Sequence, residues 1–468
     1  MEHHHERSGS WGTLALLCLA QFMVILDVTV VNVALPKMSD DLRLDAGAAT
    51  WVVTAYTLCF GGLLVLGGRL GDLLGRRAVF LAGLAVFTAS SLAAGLAGDA
   101  AVILGARAAQ GVGAAMLSPA ALSIVSTLFH GRRRHQALAV WGAVGGGGAA
   151  AGVLIGGLLV SGPGWSWVFF VNVPIGIAVG LAVRLMVPPS PRQPGRVDVP
   201  GALLLTGTAA LVIYGLVRAG TAGWTATSTW LSFAGAAVLG LATAAVQRGT
   251  RSPLLPTGLL RRRPVIAGNA VMLAASSLLI GGFFLTSMLL QHRFGYSALR
   301  TGVLFLPVTL ATIVSAHLTG RGLQRFGARP VMLVAFAVAA AGFGLLARIE
   351  PHAQPFSAVL PGFVLAAAGL GAGFVTASTS VMTSVDHAAA GGASGLLNTG
   401  HELGAALGVA LVSAIAAGDL AAAPGGPLDG FTAAYTAAAV AAAVSAVVLA
   451  AALPGGRPAV TEGPVFVH

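Results

Sequence analysis

The chain has 468 residues, of which 56% are hydrophobic and only 9% are charged, and its formal net charge is +11. Because a soluble domain carries about 25% charged residues, this composition excludes a soluble protein and predicts an integral membrane protein. The apolar stretches run for about 20 residues without period-two alternation, which favours transmembrane helices over the strands of an outer-membrane barrel.

Fourteen such stretches predict an all-α membrane protein with about fourteen transmembrane helices. In chain order the predicted spans cover residues 11–36, 49–69, 78–98, 100–129, 136–160, 165–187, 199–218, 227–247, 264–291, 300–320, 330–348, 356–382, 392–417 and 431–453.

The first span contains one acidic residue, Asp27, within the apolar run 11–36. A carboxylate inside the bilayer is unfavourable unless a partner, water or a proton neutralises it. Asp27 is therefore predicted to belong to a functional site. Asn32 follows about one turn later and is predicted to share the polar pocket of Asp27.

The segment after the second span, Gly68–Arg77, is repeated after the tenth span as Gly320–Arg329, with Gln324 in place of Asp72. Eight spans separate the two copies, so both face the same side of the membrane. This predicts two parallel six-helix halves with two helices inserted between them. The predicted divisions are 1–187 for the first half, 188–263 for the inserted pair, 264–453 for the second half and 454–468 for a short tail.

Arg107 is the one basic residue predicted to lie within a span, about 10 Å from the outer end of the fourth helix at 1.5 Å per residue. Asp27 lies at a similar depth, about 13 Å from the outer end of the first helix. An interaction between Asp27 and Arg107, direct or through water, is therefore expected. A structural pair that merely neutralises itself is the alternative to a functional role.

The glycine-rich fifth span predicts a close or flexible helix crossing, through Gly142, Gly146, Gly152, Gly156 and Gly157. Generic packing of small residues is the alternative interpretation.

The thirteenth span holds a second acid, Glu402, beside His401, near the membrane midplane. The two residues are candidates for proton coupling or for attraction of a cationic substrate, and a packing pair satisfied by neighbouring helices is the alternative. Further candidates for a substrate cavity are Asn32, Tyr56, Gln110, Phe283 and Phe374, although aromatic residues in membrane helices more often pack or anchor at the interface.

The basic residues predict the orientation. With the N-terminus in the cytoplasm, nineteen of the 26 Lys and Arg residues fall on the cytoplasmic side and six fall outside, a strong positive-inside bias that predicts cytoplasmic N- and C-termini. The net charge is therefore explained by topology and anionic lipid rather than by nucleic acid.

The composition also excludes a nucleotide-hydrolysing domain with a lysine-containing phosphate-binding loop. Lys37 is the single lysine, and a phosphate-binding loop of the GxxxxGK[ST] type needs a lysine at the phosphates. Neither Cys18 nor Cys59 has metal-ligand spacing, and His3–His5 are assigned no metal role. No nucleotide, metal or other cofactor is expected. The sequence shows no nucleophile with a nearby base, so we expect a transporter rather than an enzyme.

Four stretches resemble motifs of the major facilitator superfamily, in its branch of fourteen-span drug:proton antiporters. They are LDVTVVNVALP (26–36), GGRLGDLLGRR (67–77), RAAQGVG (107–113) and WSWVFFVNVP (165–174). The chain departs from the family pattern at Ser166, where an arginine is usual, at His401-Glu402, where Arg-Gln is frequent, and in the fifth span, which lacks the proline of the antiporter motif.

The resemblance implies a gating latch formed by Gly68, Arg69, Asp72, Gly75, Arg76 and Arg77, with ordinary topology charge as the alternative. It also implies a role in proton transfer for Arg107. The expected function is proton-coupled export of drugs, antibiotics or similar amphipathic small molecules by alternating access. A proton-coupled symporter that imports a small metabolite is the alternative. The expected partners are a small-molecule substrate, protons and lipid, and we expect a monomer in a bacterial plasma (inner) membrane.

Overall fold

The computed structural model describes residues 11–129, 131–190, 198–250, 258–350, 354–385, 390–420 and 428–453, and every regular element in these ranges is helical. The predicted tail 454–468 and His3–His5 lie outside them. The long helices are α1 Trp11–Leu42, α2 Ala46–Leu74, α3 Arg76–Gly95, α4 Ala100–Leu128, α5 Gly131–Ser161, α6 Trp167–Met186, α7 Val199–Ala222, α8 Thr227–Gly249, α9 Arg263–Arg293, α10 Ala298–Phe326, α11 Ala328–Leu346, α12 Pro355–Met382, α13 Ala390–Ile415 and α14 Asp429–Ala452.

Twelve of these helices are long and apolar enough to cross a membrane. The other two, α5 and α13, are 31 and 26 residues long and include positions whose side chains lie outside the description. Each of the fourteen helices overlaps one predicted span. The prediction of an all-helical membrane protein is therefore confirmed.

The link between α2 and α3 is shorter than the sequence predicts. The second span was expected to end at residue 69, but α2 continues to Leu74 and α3 begins at Arg76. Gly75 alone makes the turn, at φ +96°, a backbone conformation that favours glycine. Gly327 makes the matching turn between α10 and α11 at φ +82°. Asp72, which follows the predicted second span, therefore lies on the last turn of α2, and Arg76 and Arg77 lie on the first turn of α3.

The helices α1–α6 and α9–α14 pack in the same pairwise pattern. α4 packs against α2 and α3, α1 against α5, and α3 against α6. Correspondingly, α12 packs against α10 and α11, α9 against α13, and α11 against α14. Two seams join the sets, one between α2 and α13 and the other between α5 and α10.

The repeated segments also make equivalent contacts. Arg77 donates from its guanidinium to the carbonyl of Arg184, in the last turn of α6, at 2.8 Å. Arg329, its counterpart, donates from Nε to the carbonyl of Leu453, at the end of α14, also at 2.8 Å. Helix C-termini leave carbonyls without intrahelical partners. Each arginine therefore ties the start of the third helix of its set, α3 or α11, to the end of the sixth helix, α6 or α14.

The pair α7 and α8 lies outside both sets, and α7 packs along the α2–α13 seam. A cluster of apolar side chains joins the three helices, including Leu58 of α2, Ile213 of α7, and Ala406 and Ala410 of α13. α8 packs mainly against α7. The α2–α13 seam, which contains part of the candidate site, is therefore covered on one side by an additional helix.

Candidate functional site

Asp27 of α1 and Arg107 of α4 form an ion pair inside the first set of helices, between Asp27 Oδ2 and Arg107 Nη1. The side chains are 0% and 1% exposed. The expected interaction is thus direct in this structure. Two charges so far from water are stable only when each has further hydrogen-bond partners.

Arg107 has two further hydrogen-bond partners and one aromatic contact. Its Nε donates to the carbonyl of Val52 in α2 at 2.9 Å, and its Nη1 also donates to Gln110 Oε1 at 2.9 Å. Its guanidinium carbon lies 4.3 Å from the ring centroid of Tyr56, within the range of a cation–π interaction. The guanidinium is therefore held in one orientation by α1, α2 and α4 together.

The second oxygen of Asp27 is held by neutral amides. Gln110 Nε2 donates to Asp27 Oδ1 at 3.1 Å, and Asn172 Nδ2 of α6 lies 3.4 Å from the same oxygen. Both amides also donate to Ser91 Oγ of α3, at 2.8 Å and 3.4 Å. The network therefore includes α1, α3, α4 and α6. We refer to Asp27, Ser91, Arg107, Gln110 and Asn172 as the buried polar network.

Ser91 and Asn172 were missed by the sequence analysis, whereas Gln110 was predicted as a cavity residue. Gln110 is 0% exposed and belongs to the buried polar network. Gln110 follows Arg107 by three residues and so lies on the same helix face. This spacing could have predicted that the two side chains lie together. Asn172 lies in the stretch 165–174, one of the four that resemble family motifs. The direction in which its side chain points depends on the rotation of α6, which the sequence does not give.

Glu402 lies in the α2–α13 seam and is 9% exposed. A Cβ placed on Gly61 of α2 would lie 2.4 Å from the Cβ of Glu402, so the two helices touch at this point. Within the described residues the Glu402 carboxylate makes no hydrogen bond or ion pair. The ring of His401 instead faces Phe374 of α12, with the ring centroids 5.5 Å apart.

Three other predicted cavity residues lie in different surroundings. Tyr56 is 0% exposed beneath Arg107. Phe283 packs edge-on against Phe305 and Phe363, with ring centroids 5.0 Å away in each case. Asn32 donates from its amide to the Val28 carbonyl at 3.0 Å. The structure therefore places these residues in at least three separate environments.

The predicted gating segment makes contacts within its own set of helices. Asp72 pairs with Arg76 at 3.6 Å, and both side chains are partly exposed. The backbone N–H of Arg77 donates to Ser190 Oγ at 3.3 Å. Arg69 is exposed, and a Cβ placed on Gly68 would lie 3.7 Å from the Pro119 Cβ.

The glycines of α5 mark where that helix crosses its neighbours. A Cβ on Gly152 would lie 2.0 Å from Thr29 Oγ1, and one on Gly156 would lie 3.0 Å from a Val30 methyl group, both in α1. A Cβ on Gly157 would lie 2.9 Å from the Leu299 Cα in α10. Gly142 and Gly146 also lie on α5, at positions whose surroundings are outside the description.

No group of three or more His, Cys, Asp or Glu side chains that could hold a metal ion is found in the part of the chain that the structure describes. The acidic side chains buried in the two regions described above are Asp27 and Glu402.

The sequence matches the family profile described as Major Facilitator Superfamily over residues 17–409. It is 38% identical over 402 residues to a puromycin resistance protein, pur8, from Streptomyces alboniger, covering 84% of this chain and 79% of that protein. It is 39% identical over 397 residues to the cephamycin export protein CmcT of Amycolatopsis lactamdurans, covering 84% and 82% of the two chains.

Solved structures share the fold at low sequence identity. The human organic anion transporter MFSD10 superposes with a TM-score of 0.61 at 18% identity, covering 95% of this chain and 99% of that one. An auto-inhibited peptide transporter of the POT family superposes with a TM-score of 0.68 at 14% identity, covering 98% and 100%.

Proposed function

This chain belongs to the major facilitator superfamily and is a multi-pass membrane transporter, and from that premise we propose that it exports an antibiotic or a similar amphipathic small molecule in exchange for protons. The export direction is supported by relatives named for resistance to puromycin and export of cephamycin. The proposed location is the inner membrane of a bacterium.

One observation carries the proton-coupled part of the proposal. Asp27, a titratable carboxylate, is fully buried and paired with Arg107 in the buried polar network. When the carboxylate binds a proton, its attraction for the guanidinium falls, and the contacts of Arg107 to α2 and α4 can rearrange. Proton binding at Asp27 is thus tied to the packing of three helices.

The proposed topology has fourteen spans, with α5 and α13 completing the set and both termini in the cytoplasm. The halves are residues 1–187 and 264–453, with 188–263 as the inserted pair. This division agrees with the repeated packing pattern and with the positive-inside count.

We infer that the structure corresponds to a state closed at the outer end. Three contacts between the halves lie at the end of the bundle where α1 ends: Ser287 Oγ donates to the Asn32 carbonyl at 2.8 Å, Thr50 hydrogen-bonds Ser413, and Gly157 packs on Leu299. Asp72 pairs with Arg76 beside it. A gating latch in which this segment contacts the other half would then form in the state that is open at the outer end.

The proton gradient supplies enough free energy for such export. Each pH unit is worth about 1.4 kcal/mol per proton, and each 100 mV of membrane potential adds about 2.3 kcal/mol per charge. One or two protons per molecule therefore support a useful concentration ratio. Glu402 is the second candidate for a proton site.

The test is an Asp27→Asn variant assayed in everted membrane vesicles. Export would be measured as pH-gradient-driven accumulation of labelled puromycin and cephamycin, and of tetracenomycin C and lincomycin, for which two further relatives are named. We expect accumulation to fall to the level of vesicles without the protein, because an amide cannot take up and release the proton. The same carboxylate-to-amide change at Asp45, which caps α2 by accepting from the Ala48 N–H at 2.7 Å, is the matched control, since asparagine also caps helices.

Full gradient-driven accumulation by the Asp27→Asn variant would contradict the assigned proton site. Failure of the unmodified protein to accumulate any of the four compounds, with no resistance in cells, would contradict the proposed substrate class.

A further inference from the structure

Pro36 lies inside α1 and removes one of the hydrogen bonds of that helix. In an α-helix each backbone N–H donates to the carbonyl four residues earlier, and α1 continues through Pro36 to Leu42. Proline has no N–H, so Pro36 cannot donate to the carbonyl of Asn32. Asn32 is 5% exposed, and a buried carbonyl without a partner is unfavourable. This carbonyl is therefore free to accept a hydrogen bond from another helix.

The donor to this carbonyl comes from the other half of the molecule. Ser287 Oγ of α9 is fully buried and donates to the Asn32 carbonyl at 2.8 Å. Gln291 Nε2 donates to Ser287 Oγ at 3.0 Å and to the Val33 carbonyl at 3.2 Å. Because the Ser287 oxygen accepts from Gln291, its one proton is directed at Asn32. We refer to Asn32, Val33, Pro36, Ser287 and Gln291 as the proline junction.

The helix α9 is also irregular at this level. Its residues Leu289–Arg293 form a π-helical turn, and such turns are frequent at functional sites. In the register that aligns Gly75 with Gly327, the proline of α1 corresponds to Met288, just before this turn. The first helix of each half therefore departs from ideal helix geometry at the place where hydrogen bonds cross between the halves.

We propose that the proline junction holds the outer end of the transporter closed, and that Pro36 makes this closure depend on Ser287. The inference rests on the proposed export function and assigns Ser287 as a positioning residue within it. In the closed state Ser287 satisfies a carbonyl that Pro36 cannot satisfy. When the outer end opens to release substrate, α1 and α9 separate, and water replaces Ser287 and Gln291 as the donor to the α1 carbonyls.

The test measures distances between the halves in proteoliposomes. Spin labels are placed at Gly98→Cys and Glu350→Cys, exposed residues in the equivalent outer links between the third and fourth helices of each set. A second pair, Leu74→Cys and Phe326→Cys, reports the distance at the opposite end of the bundle. Both native cysteines are first replaced by alanine.

Ser287→Ala is compared with Ser315→Ala as the matched control. Ser315 Oγ of α10 donates to the Ala368 carbonyl of α12, so this serine also bonds one helix to another, but within one half. Both changes are repeated in a Pro36→Ala background, where alanine restores an N–H that can donate to the Asn32 carbonyl.

We expect Ser287→Ala to raise the ratio of outer-open to outer-closed molecules about ten-fold, the size expected when a buried acceptor loses its donor. The distance at the opposite end should shorten in the same molecules, because one end closes as the other opens in alternating access. In the Pro36→Ala background, Ser287→Ala should change this ratio by less than about two-fold, since the restored N–H keeps the Asn32 carbonyl bonded in both states. Ser315→Ala should leave both distances as in the parent.

Equal distances in Ser287→Ala and the parent would overturn this inference, and so would a shift of the same size with and without Pro36. A longer distance at both ends would also overturn it, because that result indicates loss of packing rather than opening of one end. Export of puromycin or cephamycin by the unmodified protein beside any of these results would leave the proposed function standing. A Pro36-dependent shift in a protein that exports none of the four compounds would support the proline junction and contradict the proposed function.

Discussion

An Arg107→Ala variant is expected to lose gradient-driven export and to lose about 3–5 kcal/mol of stability, the usual result of removing one member of a buried ion pair. The loss is large because Asp27 is 0% exposed and would keep only the neutral donors Gln110 and Asn172, at 3.1 Å and 3.4 Å. The measurements are vesicle accumulation and thermal unfolding in detergent.

Arg107→Lys separates charge from geometry. Lysine keeps the positive charge, but a compact ammonium cannot reproduce the planar fork that reaches the Val52 carbonyl, Gln110 and Asp27 at once. We therefore expect most of the stability to return and little of the export. Export by Arg107→Lys at the level of the unmodified protein would show that charge alone suffices.

A double variant, Asp27→Asn with Arg107→Ala, completes the cycle. Removing both charges leaves no uncompensated ion in the apolar interior, so the double variant should be more stable than Arg107→Ala, although inactive. If the double variant is as unstable as the sum of the two single changes, the two residues do not act as a pair.

The sequence was enough to predict the Asp27–Arg107 pair because charges stand out in apolar helices and the helical rise fixes their depth. It was not enough to predict Ser91 or Asn172. Small neutral polar residues are common in membrane helices, and their contribution depends on the rotation of α3 and α6. That rotation is set by contacts between helices rather than by the local sequence.

The positions of the helices followed from hydropathy, whereas two of their ends did not. The second span was predicted to end at Arg69, yet the helix continues through Asp72 to Leu74, and Gly75 alone forms the turn. Charge marks where a helix leaves the hydrocarbon layer, which need not be where the helix ends. The packing of α7 along the α2–α13 seam could not be read from its composition either, since an apolar helix carries no signal for which seam it covers.

A Gly408→Ala variant is the second change expected to have a large effect. Gly400, Gly404 and Gly408 form a stripe on α13 at four-residue spacing and pack against α9. A Cβ on Gly408 would lie 2.0 Å from the Ser277 carbonyl oxygen, and one on Gly404 would lie 2.4 Å from the Leu273 carbonyl oxygen. Two helix backbones touch here, as is typical where small residues line a membrane-helix interface.

The α9–α13 contact is reinforced by hydrogen bonds that require this short distance. Ser277 Oγ donates to the Gly404 carbonyl at 2.7 Å, and Ser276 Oγ donates to the His401 carbonyl at 2.6 Å. A methyl group at position 408 would push the helices apart and stretch both bonds. Overpacking of this kind typically destabilises by about 1–3 kcal/mol and can cost more when backbone must move.

Gly344→Ala is the matched control, because Gly344 lies in α11 and a Cβ there would meet no atom within 4 Å. The control should be neutral or more stable by about 0.5–1 kcal/mol, the usual gain for alanine over glycine in a helix. Thermal unfolding of the two variants tests the packing directly. Export should fall in Gly408→Ala as well, because α13 carries Glu402 and its displacement from α9 would move that carboxylate relative to α2. Equal stability and export in both variants would show that α9 and α13 are not in backbone contact.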